Sequence, residues 1–157
     1  MFVADGAGTA GRLLVARFVL RGHRVTAATT SEDMVDTLAA WGARGTVMDG
    51  LDAVSVGVTV SAARPDAIVH RMTARDAPGT DHLLAAAQAA GVPHVVVWTP
   101  GTAATHRLSD PEIAVIEAGG AVVAHHGHLD AAVTATVLAV ERRTAGLLRC
   151  THEEGPR

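Results

Sequence analysis

Met1-Phe2-Val3-Ala4-Asp5-Gly6-Ala7-Gly8-Thr9-Ala10-Gly11 opens the chain, a short apolar run that breaks into a turn carrying three glycines. Beyond it, Gly11, Leu14, Val15, Phe18 and Val19 recur at helical spacing, with Arg17 and Arg21 on the opposite face. The stretch therefore reads as strand, glycine turn and amphipathic helix. Gly22 ends that helix, and residues 24–28 read as a second strand.

The same alternation continues. Thr30 and Asp33 stand at capping-box spacing before Met34, Leu38 and Trp41, with Gly42 as the stop and a third strand at 46–48. Residues 51–63 carry valine at 54, 56, 58 and 60, a strand-like alternation. Parallel neighbours need a long crossover, so a helix is expected there instead. Strands follow at 66–70, 94–98, 121–125 and 146–151, with helices at 80–90, 111–117 and 129–142 and a patternless loop at 99–109. Alternating elements of this length specify an α/β fold, a doubly wound and mostly parallel sheet of six or seven strands. All 157 residues fit a single domain, with neither repeat nor linker.

In Gly6-x-Gly8-x-x-Gly11 each glycine has a physical task. The first permits the tight turn, the second lets a pyrophosphate approach the backbone, and the third lets helix pack closely on strand. The helix N-terminus adds partial positive charge. A plain glycine turn without a ligand is the competing reading.

Longer segments carry a family resemblance. "RGHRVTAATTS" (21–31), "RPDAIVH" (64–70), "GTDHLLAAAQAAGVPHVVV" (79–97) and "HLDAAVTATVLAVER" (128–142), with the glycine turn and 49–52, resemble the extended short-chain dehydrogenase/reductases, the NAD-dependent epimerase/dehydratase group. The resemblance covers nearly the whole chain and implies a Rossmann-like nucleotide-binding domain. It implies cofactor contacts from Gly6, Gly8, Gly11, from Thr29 and Thr30 at the end of strand two, and from Asp49 and Gly50, with Asp49 near an adenine. It also places 70–73 beside a nicotinamide ribose and Thr99 at the family's serine or threonine.

Departures from the pattern matter as much. In the family's usual Gly-x-x-Gly-x-x-Gly register, Asp5 stands where the first glycine belongs, setting a carboxylate against a pyrophosphate. Strand two ends in neither an acid nor an arginine, so NAD and NADP are equally open as cofactors. The chain has no tyrosine, and its thirteen basic residues are all arginines, so the family's Tyr/Lys pair cannot be built. The segment that builds the family's substrate lobe is also absent between the last two strands. Histidine, which titrates near neutrality, is the best substitute acid, and His70, His126 and Thr99 are the candidate catalytic residues.

Other chemistries find less support. His125 and His126 point to opposite faces while the strand lasts, and Asp130 is expected to cap the helix that follows, so no metal is expected. A Gly-x-Ser-x-Gly elbow is missing, and the arginines of the first helix read as a solvated face. A net charge of −3 with interspersed signs gives no field for nucleic acid. No apolar run reaches the roughly 20 residues of a membrane span. The absence of a signal-peptide pattern and a single Cys150 point to the cytoplasm.

Three functions remain open. The first is an NAD(P)-binding protein with non-standard or lost oxidoreductase activity on a small metabolite. The second is a cofactor-independent isomerase, cyclase or dehydratase on the same fold. The third is a non-catalytic sensor or partner subunit, with a homodimer possible.

Overall fold

The computed structural model describes residues 1–72, 77–100, 107–125 and 129–150. Seven strands alternate with six helices: β1 (Phe2–Val3), α1 (Thr9–Leu20), β2 (Thr26–Thr29), α2 (Asp33–Ala40), β3 (Arg44–Val47), α3 (Ala53–Ala63), β4 (Ile68–Arg71), α4 (Ala77–Ala89), β5 (Val95–Pro100), α5 (Asp110–Glu117), β6 (Ala121–His125), α6 (Leu129–Glu141) and β7 (Gly146–Cys150). The strands form one sheet in the order β3-β2-β1-β4-β5-β6-β7, and every pairing is parallel. The chain winds outward from β1 in one direction and from β4 in the other. The crevice at the carboxyl ends of β1 and β4 is thus the topological switch point, where ligands bind in open α/β sheets.

Both faces are covered. Leu14, Val15 and Phe18 of α1, Leu38 of α2 and Val133 and Val137 of α6 pack on one side with Val3, Val69, Val96 and Val123. Val56 and Val60 of α3, Leu83 of α4 and Val115 of α5 pack on the other with Phe2, Ile68, Val97 and Val122. Burial on both faces explains the unbroken apolar runs of β5 and β6.

The valines of α3 resolve once the helix exists. Val56 and Val60, one turn apart, are fully buried, whereas Val54 and Val58 are exposed on the far side. Asp52 starts the helix, its carboxylate accepting the Val54 N–H at 2.9 Å.

Two local expectations are corrected. Thr30 does not cap α2, because the helix begins later, at Asp33, with Glu32 at the N-cap position. The upstream turn is held instead by Ser31 N–H donating to Thr29 Oγ1 at 3.2 Å. Asp130 lies in the first turn of α6 and pairs with Arg17 at 2.7 Å. The first-helix arginines do form an exposed face, on which Arg21 also reaches Glu141 and Arg12 lies 5.4 Å over the Trp41 ring. Finally, Thr99 and Pro100 belong to β5, not to the following loop.

Candidate functional site

The glycine turn joins β1 to α1, and its three glycines are held to different degrees. A Cβ built on Gly11 would stand 1.8 Å from the carbonyl oxygen of Asp5, so only glycine lets α1 start against β1. One on Gly6 would lie 2.6 Å from the Ala27 Cβ on the adjacent strand. At Gly8, the N-cap of α1, the nearest atom would be a carboxylate oxygen of Asp5 at 2.9 Å, a flexible side chain. Backbone at Gly8 is therefore open to a ligand, apart from Asp5. The exposed Asp5 carboxylate reaches over the helix N-terminus, where a phosphate would come.

A cavity of about 250 Å3 opens at the switch point, lined by Asp5, Thr29, Thr30, Gly50, His70 and Arg71 among others. These residues come from the carboxyl ends of β1, β2 and β4 and from the turn after β3. Of the expected site residues, Thr29, Thr30, Gly50 and His70 therefore meet at one cavity. Asp49 Oδ1 accepts the Leu51 N–H at 2.9 Å, which holds the side chain in its own turn. Gly50 beside it is open, with no heavy atom within 4 Å of a built Cβ.

His70 is 9% exposed and its Nε2 lies 3.0 Å from Thr80 Oγ1 on the first turn of α4. The hydroxyl fixes the ring at the cavity wall. Thr99, 6% exposed, lies on the neighbouring strand β5, two residues past the Val97 that pairs with His70 and on the same sheet face. It does not line the cavity. His126 lies outside the described residues. No group of three or more metal-binding side chains occurs among the described residues.

The opposite face carries a row that sequence reading only glimpsed. The Arg71 guanidinium lies 5.6 Å from the Trp98 ring, and Trp98 stacks on His125 at 4.9 Å with planes inclined by 29°. Arg71, Trp98 and His125 are the last or near-last residues of β4, β5 and β6, so the row crosses three strand ends. Trp98 is buried, and its indole N–H has no hydrogen-bond partner among the described residues. A charged residue closing an apolar strand was the available signal for Arg71. Thr80 gave none.

The fold and site define a Rossmann-type α/β protein with a glycine-turn crevice. WbmH of Bordetella bronchiseptica, solved in complex with NAD+, superposes with a TM-score of 0.76 at 12% identity, over 96% of this chain and 74% of that one. A short-chain dehydrogenase/reductase family oxidoreductase from Burkholderia thailandensis gives 0.69 at 16% identity, over 94% and 88%. The UDP-Glc/GlcNAc 4-epimerase of Campylobacter jejuni gives 0.64 at 16% identity, over 79% and 52%. In sequence, the chain is 35% identical over 121 residues to a 3-diazoavenalumate denitrifying reductase of a Streptomyces species. That match covers 66% of this chain and 38% of the reductase, so the chain spans well under half of its curated relative. No family model matches. The resemblance to the short-chain dehydrogenase/reductases and their epimerase/dehydratase branch holds: the chain has their fold.

Proposed function

We propose that this chain binds a nicotinamide dinucleotide, NAD or NADP, in the β1/β4 crevice and serves the reduction of a small acceptor. The observation that carries the reading is the glycine turn, which fits such a group. Gly11 is sterically compelled, whereas Gly8 is not needed for packing and leaves backbone exposed where a pyrophosphate would lie. Gly8 and the α1 N-terminus would hold the phosphates, Thr29 and Thr30 would face a ribose with neutral hydroxyls, and Gly50 would leave room for the base. When bound, the nicotinamide supplies a hydride.

Arg71 offsets Asp5. Both line the same cavity, so the guanidinium restores attraction for an anion that the carboxylate repels. Its exposed fork also suits a carboxylate on the acceptor.

The missing Tyr/Lys pair restricts the acceptor. A ketone needs a proton as hydride arrives, and a general acid must stand within reach. A diazonium carbon does not: exchange of N2 for hydride forms a C–H bond, breaks a C–N bond and consumes no proton. The Streptomyces relative is named for a diazo compound, whose protonated, diazonium form is such an acceptor. His70, held by Thr80, is the side chain best placed to orient the acceptor or to move a proton in a redox-neutral alternative.

The test is titration of the purified chain with NADH and NADPH, followed by Trp98 fluorescence and by calorimetric heat. Saturable binding is expected, weakened about tenfold or more by Gly8→Ala, roughly 1.4 kcal/mol, with unchanged melting. Absence of binding at millimolar cofactor overturns the reading and favours cofactor-independent chemistry.

A further inference from the structure

The opposite edge of the sheet, at the amino ends of the strands, holds a second hollow of about 750 Å3. Its lining includes Arg24 ahead of β2, Arg44 at the start of β3 and Arg64 at the end of α3, together with His23 and Asp66. All three guanidinium-bearing residues are exposed, and among the described residues none has a carboxylate within ion-pair distance. Neighbouring arginines are matched: Arg17 to Asp130, and Arg21 to Glu141, which also takes His23. Asp66, the one acid among the described lining residues, already has Oδ1 at 3.2 Å from the Met1 amine. In a chain of net charge −3, this hollow thus collects positive charge that no carboxylate of the described residues compensates.

Backbone conformation supplies an independent observation. Arg64 is the C-cap of α3 with φ 43 and ψ 57, the left-handed region where a helix ordinarily stops on glycine. Its side chain is exposed and lines the hollow. Arg143, with φ 51, is the other non-glycine residue at positive φ among the described residues. It reaches the same edge, where Nη1 donates to the Asp66 carbonyl at 3.1 Å. Strain retained where glycine would relieve it points to a use for the side chain.

We propose that this hollow binds a small oligophosphate, with Arg24, Arg44 and Arg64 as the groups that hold it. Guanidinium forks match phosphate oxygens in pairs, and a concave wall focuses their field on an anion. The volume falls in the range of roughly 300–1,000 Å3 typical of small-ligand sites. The site lies across the sheet from the glycine turn, so both can be filled at once.

Inorganic triphosphate is the probe, titrated calorimetrically at low salt into the full chain with and without saturating NADH. One equivalent is expected to bind, with an affinity that NADH leaves unchanged. Arg64→Gly separates binding from folding, because it relieves the backbone while removing the guanidinium. Its melting temperature should stay level or rise while triphosphate affinity falls about tenfold or more. Arg24→Gln with Arg44→Gln should remove binding. No heat at millimolar triphosphate, unaltered binding in both variants, or displacement by NADH together with loss in Gly8→Ala would each overturn the assignment.

Discussion

Alanine at Gly11 and alanine at Gly8 probe different forces only three residues apart. At Gly11 the new Cβ meets backbone, the Asp5 carbonyl oxygen, and neither partner can step aside without lifting α1 off β1. Gly11→Ala should cost about 3 kcal/mol or more, read as a shift in the urea midpoint. At Gly8 the Cβ meets only the end of the Asp5 side chain, so the fold should survive while cofactor affinity falls. Asp5→Asn should do the reverse and tighten NADH binding by about tenfold at low salt, since a carboxylate beside a pyrophosphate repels it. That gain should shrink as salt rises. A tightening equally large at high salt would show that Asp5 acts through shape. The glycine pattern was legible because each glycine answers a local steric demand. Where the Asp5 carboxylate points was not, because the sequence leaves its rotamer open.

At the scale of elements, the sequence and the structure part where two signals compete. Four alternating valines favour a strand by period, and only the need for a crossover between parallel neighbours makes 51–63 a helix. Capping is less legible still: Thr30 and Asp33 have the spacing of a box, yet the hydroxyl used is that of Thr29, to hold the turn. At α5 the same pattern is realised, with Glu112 accepting from the Ser109 N–H at 2.7 Å. Docking of α1 on α6 combines an apolar seam with surface ion pairs, and their magnitudes differ. Leu14 is 2% exposed, and Leu14→Ala should cost roughly 2–5 kcal/mol. Asp130→Ala breaks an exposed pair and should cost about 1 kcal/mol or less, fading with salt. Equal costs in a denaturant series would mean that the ion pair, not the seam, sets how α1 lies on α6.

For the molecule as a whole, acid sensitivity follows from two groups at the amino-end edge of the sheet. His94 precedes β5, is 3% exposed, and donates Nε2–H to the Ala139 carbonyl of α6 at 3.3 Å. Burial holds its pKa below the ordinary 6.5, with the Arg143 charge acting in the same direction. Unfolding therefore takes up a proton once the pH is below 6.5, and stability present above that value is lost as pH falls toward the folded pKa. Glu141 acts later. Its hydrogen bonds from Arg21, then from His23, hold its carboxyl at about 2 against an ordinary 4.5. Stability from that cluster is intact above 4.5 and disappears as pH drops through about 2. Thermal melts from neutral to acid pH should thus show two successive declines, the first due to His94. His94→Gln, which keeps a donor toward Ala139, should flatten the decline just below 6.5 and leave the more acidic one in place. A first decline of the same depth in that variant would assign it to another histidine.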